Sequence, residues 1–159
     1  MTGEIVRVDI CSGPSKPPGF IGIDIVAGPD IDIVHDLSKG FPFEDSSVDY
    51  LRAHDAIEHL HEKIETMNEI FRVCKNGATV DIKVPSTDGR GAYQDPTHVS
   101  YWNINSFYYY CSDYPNYYKQ NRVYGFKGDF QIKQLYNIGT RDNIIHVVAM
   151  LIVRKKTQG

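Results

Sequence analysis

Short apolar runs, broken by small or acidic residues, fill the first half of the chain, and one amphipathic stretch interrupts them. Ile5–Ile10, Phe20–Ile25, Ile31–Val34 and Val48–Arg52 read as strands bounded by Gly, Pro, Ser and Asp. Ile57, Leu60, Ile64, Met67, Ile70, Phe71 and Cys74 then recur at spacings of three and four, which predicts a helix stopping at Asn76-Gly77. Ala78–Val84 predicts a fifth strand closed by Pro85, and a short helix is expected near Ile104–Tyr110. Gln131–Tyr136 and Ile144–Val153 predict an antiparallel hairpin with Gly139 in its turn. The strand-helix-strand order over 48–84 is a βαβ unit, so the sheet is at least partly parallel and the fold class is α/β. With 159 residues and no repeat or low-complexity linker, residues 1–159 are expected to form a single domain.

The first connection is unusual. Between the first two strands lie about nine residues, too few for a full crossover helix. They are small ones, Cys11-Ser12-Gly13-Pro14-Ser15, as a backbone needs if it is to approach a ligand closely. No helix amino terminus follows to receive a diphosphate, which argues against dinucleotides and for a ligand without phosphates. Acids stand at or just past the strand ends: Asp9, Asp24 and Asp36, with His54 after the fourth strand. In an open α/β sheet such positions converge on one crevice, where Asp24 can accept from ribose hydroxyls and Asp36 from an adenine amino group.

Composition changes this picture little. No apolar run nears the roughly 20 residues of a membrane span, Met1 leads into no signal-peptide pattern, and no membrane partner is expected. Three isolated cysteines, Cys11, Cys74 and Cys111, fit a reducing, cytoplasmic setting. Charge is uneven: residues 1–112 hold 9 basic and 17 acidic side chains, residues 113–159 hold 8 and 3. A solvated basic end and a basic wall facing an anionic substrate both fit that count. Tyr108, Tyr114, Tyr117, Tyr118 and Tyr124 interleave with Lys119, Arg122 and Lys127. They suit core or lid packing, a dimer contact, or a platform for an aromatic or nucleobase substrate. The cluster His54, Asp55, Glu58, His59, His61 and Glu62 suggests metal chemistry, but on a helix only His54 and Glu58 share a face, so no metal site is expected. Asp95 and His98 place a carboxylate and an imidazole in the loop after the fifth strand, with His98 the candidate base and Asp95 or a tyrosine its orienter.

These motifs, taken in order, resemble a known family. VDICSGP resembles the glycine-rich first motif of the class I S-adenosylmethionine-dependent methyltransferases, and GFIGIDI resembles the second. DIVHDLSKGFPFEDSSVDYLRAHDAIEHL, NEIFRVCKNGATVDIKVPS and DPTHVSYWNINSF resemble segments of its small type-11-like group, here with a shortened first crossover. The resemblance implies a Rossmann-like, mostly parallel seven-stranded sheet of order 3-2-1-4-5-7-6, with an antiparallel C-terminal hairpin and reduced helices on the first-crossover side. It implies S-adenosyl-L-methionine as cofactor and an unidentified oxygen or nitrogen acceptor, anionic or aromatic character being compatible with the chain. Asp9, Cys11 and Gly13 would lie against the methionine moiety, Asp24 on the ribose, Asp36 and Leu37 around the adenine, and Ala53 and His54 beneath the sulfonium. Cys11 and Ser15 stand where the family has glycine. A non-catalytic binding module or partner subunit, and a nucleic-acid-binding domain using the basic aromatic end, are the alternatives the sequence leaves open.

Overall fold

In the computed structural model, which describes residues 3–157, the strand-length runs do become strands. They are β1 (Arg7–Ile10), β2 (Ile21–Asp24), β3 (Ile33–Val34), β4 (Val48–His54), β5 (Cys74–Pro85), β6 (Phe130–Gly139) and β7 (Ile145–Val153). One sheet orders them 3-2-1-4-5-7-6, as the resemblance implies. Neighbours among β1 to β5 pair in parallel, and β7 runs antiparallel to both β5 and β6.

The sheet has one dry face and one half-wet face because side chains alternate along a strand. Leu51 and Ala53 of β4, Val80, Ile82 and Val84 of β5, and Val147, Ala149 and Leu151 of β7 are buried. Helix α1 (Lys63–Val73) lays Met67, Ile70 and Val73 on this core, and Trp102, Phe107, Phe126 and Phe130 complete it. On the other face Tyr50, Arg52, His54 and Asp81 are only half-buried. They form a polar network: Arg52 pairs with Asp9 at 2.8 Å, while His54 and the Tyr50 hydroxyl each reach Asp81 at 2.8 Å. The first crossover, Cys11 to Phe20, supplies only a 3-10 turn at Gly13–Ser15, so no α-helix from it covers this face. Gly22 permits the tight packing there, because a Cβ would sit 2.7 Å from the Asp30 carbonyl oxygen.

Several boundaries differ from expectation. The predicted helix over 57–74 is a 3-10 turn at Ile57–His59, an extended Leu60, and only then α1. Its apolar spacing reflects two segments that share one core. β5 starts at Cys74, and Asn76-Gly77 lies within a register shift of that strand. Gly139 closes β6, with the turn following it. Two short helices were not expected, α2 (Gly91–Gln94) and α3 (Pro115–Val123). The tyrosine run packs as this second helix and the turn before it: Tyr108 stacks on Tyr114 at 4.3 Å, and buried Tyr110 packs edge-on to Phe126. No helix among the described residues is long and apolar enough to cross a membrane.

Candidate functional site

The carboxyl ends of β1 to β4 open onto a cavity of about 410 Å³, lined by Cys11, Asp24, Ile25, His35 to Ser38, Asp55 and His59 to His61. Asp24 ends β2, and its carboxylate organises the first turn. One oxygen accepts from the Gly13 amide at 3.0 Å, the other from the Val26 amide at 3.1 Å. Each oxygen keeps lone pairs for a ligand. Asp36 follows β3 and caps the turn Leu37–Lys39: one oxygen accepts from the Ser38 amide and hydroxyl. Those bonds hold its carboxyl below the usual range.

Cys11 begins the turn with φ +52, a left-handed backbone that glycine adopts without strain. Burial, and then the charge of Asp24, push its thiol up to about 12, so it is a neutral wall and no nucleophile. Asp55, just past β4, also has positive φ and pairs with His146 of β7 at 3.0 Å. Three carboxylates and three imidazoles line the cavity with no lysine or arginine. Such a lining favours a cation and disfavours phosphate.

The expected site residues divide. Cys11, Asp24, Asp36 and Leu37 line the cavity, and Gly13 lines a smaller one that shares Asp24. Asp9, Ala53 and His54 do not line it: Asp9 is fully buried against Arg52, Ala53 faces the core, and His54 is turned to Asp81. Burial raises the Asp9 carboxyl, with the Arg52 charge opposing. Asp95 and His98 lie side by side, but Asp95 does not hold the ring by Nδ1 as an orienter would. The His98 Nδ1–H donates to the Ala92 carbonyl at 3.0 Å, which takes the orienter's place. Asp95 spends one oxygen on Thr97 and keeps the other 3.6 Å from His98 Nε2, the nitrogen a base would use. His59, not His98, reaches the cavity wall. His35, Asp55, His59 and His61 are not among the expected cofactor residues, and only the fold shows them sharing one wall.

The basic end lies elsewhere. Arg72, Arg122, Lys127, Arg154, Lys155 and Lys156 border an open depression of about 810 Å³ at the opposite, amino edge of the parallel strands. Arg72 is paired there with Glu69 and Asp45, and Arg154 with Asp113 and Asp129. Of the two readings of the basic end, a wall facing the carboxyl-edge cavity is not what these residues form.

Comparison with known proteins agrees with this geometry. Residues 18–81 match the family described as a methyltransferase domain. The solved YcgJ protein of Bacillus subtilis aligns over 96% of this chain and 93% of its own, with a TM-score of 0.64 at 13% identity. The chain has the fold of the class I methyltransferases. Burkholderia thailandensis 1,6-didemethyltoxoflavin-N1-methyltransferase, solved with its substrate and S-adenosylhomocysteine, aligns over 94% of this chain and 71% of its own (TM-score 0.68, 11% identity). A Haemonchus contortus phosphoethanolamine N-methyltransferase, also solved with S-adenosylhomocysteine, aligns over 98% of this chain and 50% of its own (TM-score 0.64, 13% identity). No curated protein matches the sequence. On this methyltransferase fold, the cavity occupies the carboxyl edge where open α/β sheets take their ligands.

Proposed function

We propose that this chain binds S-adenosylmethionine in the carboxyl-edge cavity and transfers its methyl group to an oxygen or nitrogen acceptor. The observation that carries the reading is the cavity's charge: three carboxylates and no lysine or arginine, at the edge where the fold takes ligands. That lining suits a sulfonium and an ammonium group and rejects a dinucleotide's diphosphate. Asp24 would hold the ribose hydroxyls with the lone pairs its two amide bonds leave free. Asp36 would take the adenine amino group on the oxygen not used by Ser38, and Leu37 would supply the apolar wall.

The cofactor, when bound, supplies an electrophilic methyl group on sulfur. The chain's part is alignment, holding the adenosine end so that methyl and acceptor meet in line. The acceptor's proton would pass to Asp55, exposed at the cavity wall and backed by His146. This role replaces the one expected of His98 and Asp95.

Calorimetric titration with S-adenosylhomocysteine tests the reading. We expect one site, and an affinity loss of about 10–100-fold in Asp24→Asn, as for a charge-assisted hydrogen bond worth ~1.5–3 kcal/mol. Absent heat at millimolar ligand, or equal affinity in Asp24→Asn, would overturn it.

A further inference from the structure

Glu58 is the one buried acid in the described structure that no lysine or arginine pairs with and that receives no hydrogen bond from another residue. Its side chain is 2% exposed, and neither carboxylate oxygen has a hydrogen-bond partner. Asp9, equally buried, is neutralised by Arg52. An isolated buried carboxylate is costly unless it is protonated or met by a partner. Two imidazole nitrogens do approach: His59 Nε2 at 3.6 Å and His98 Nε2 at 4.0 Å from the same oxygen, Oε1. The two rings stand edge to face, with centroids 5.0 Å apart.

The orientation of those rings points further. His59 Nδ1 donates to the Thr97 carbonyl at 3.1 Å, and His98 Nδ1 donates to the Ala92 carbonyl at 3.0 Å. A carbonyl only accepts, so each bond puts the hydrogen on Nδ1 and leaves the Nε2 lone pair turned toward Glu58. Metal-binding histidines are fixed in just this way by an outer hydrogen bond. The backbone locks the two segments together: the Val99 and Ser100 amides donate to the Glu58 carbonyl at 2.8 and 3.1 Å, and the Ser100 hydroxyl donates to the Ile57 carbonyl. Three donor atoms, one Glu oxygen and two His nitrogens, thus lie within 4.8 Å of one another. Small side-chain rotations would close them to the roughly 3.3 Å separation set by metal–ligand bonds of ~2.0–2.1 Å.

We propose that Glu58, His59 and His98 form a binding site for a divalent transition-metal ion, with open coordination positions for water or an oxygen donor. A set of two imidazoles and one carboxylate suits zinc, iron(II), cobalt or nickel and is poor for calcium or magnesium. His59 also lines the carboxyl-edge cavity, so the ion would border that cavity. The site stands whether or not the cavity holds S-adenosylmethionine. On a single helix only His54 and Glu58 would share a face, but the segment is a 3-10 turn, and the third ligand comes from a loop beyond β5.

Titration of tag-free, chelator-treated protein with zinc and cobalt(II) tests the proposal, read by calorimetry and by the visible spectrum of bound cobalt. We expect one ion per chain, with melting raised by about 5–10 °C at a hundredfold excess over Kd. Glu58→Gln and His98→Gln should each weaken zinc binding tenfold or more. Glu58→Gln also controls for folding: it keeps the size and shape of the buried side chain, so its metal-free form should melt no lower than the wild type. Failure to bind either ion at millimolar concentration overturns the proposal. So does undiminished binding in both variants, which would mark adventitious surface coordination.

Discussion

Cys11 concentrates the relation between sequence and site in one residue. Its backbone is left-handed, a conformation that costs a side-chain-bearing residue ~1–2 kcal/mol and costs glycine nothing. The position asks for glycine, and the residue present is larger. The half-buried thiol in turn contributes packing of about 1 kcal/mol, so the two effects nearly cancel. Cys11→Gly should therefore match the wild type within ~1 kcal/mol, whereas Cys11→Ala, which loses packing and keeps the strain, should fall about 1 kcal/mol below Cys11→Gly. Urea midpoints of the three proteins check this, and an alanine variant more stable than the glycine variant would contradict it. At this scale the sequence was partly legible. Asp24 and Asp36 declare themselves by ending strands, since a strand's carboxyl end is a fixed place in the fold. Asp9 and His54 also sit on strands, but their roles depend on partners across the sheet, Arg52 and Asp81, which no local pattern reveals.

Among elements, α1 shows how one charged face anchors a loop. Glu69 accepts from the Phe41 amide at 2.8 Å and from Arg72, while Arg72 donates to the Phe41 and Phe43 carbonyls and pairs with Asp45. The helix thus adds polar anchors to the chain between β3 and β4, beside the buried Leu37 and Phe41. Hydrogen bonds from Arg72, and then from the Phe41 amide, hold the Glu69 carboxyl below its ordinary value of 4.5, with burial opposing. A depressed folded value stabilises the protein above the unfolded value and loses that contribution as pH falls through the folded one. The wild type should lose stability steadily on acidification below about pH 4.5, measured by urea midpoint. Glu69→Gln should start less stable at pH 7 by about 1 kcal/mol and show a shallower acid decline. A parallel decline in both proteins would contradict the assignment. Strands were the most legible elements, because apolar runs between turn residues leave few alternatives. Helices were less so: the apolar spacing from Ile57 to Cys74 cannot distinguish one helix from a 3-10 turn plus a helix on the same core. Pro115–Val123 was missed because its polar composition gives α3 almost no apolar stripe.

For the whole molecule, the sheet divides charge as well as space. Asp24, Asp36 and Asp55 line the carboxyl-edge cavity, while Arg122, Lys127, Arg154, Lys155 and Lys156 border the amino-edge depression together with Asp45, Glu65, Glu69 and Asp129. Part of the uneven charge along the sequence is therefore a polarity across the fold, which a count by position could register and could not orient. That polarity supports the proposal that a cationic, phosphate-free nucleoside binds at the carboxyl edge. We propose that S-adenosylmethionine occupies the acidic edge, and a crystal structure of the protein with S-adenosylhomocysteine is the decisive test. We expect density for the ribose on Asp24, with the adenine between Asp36 and Leu37. Ligand density in the basic depression bordered by Arg72 and Arg154, with the acidic cavity empty, would contradict it.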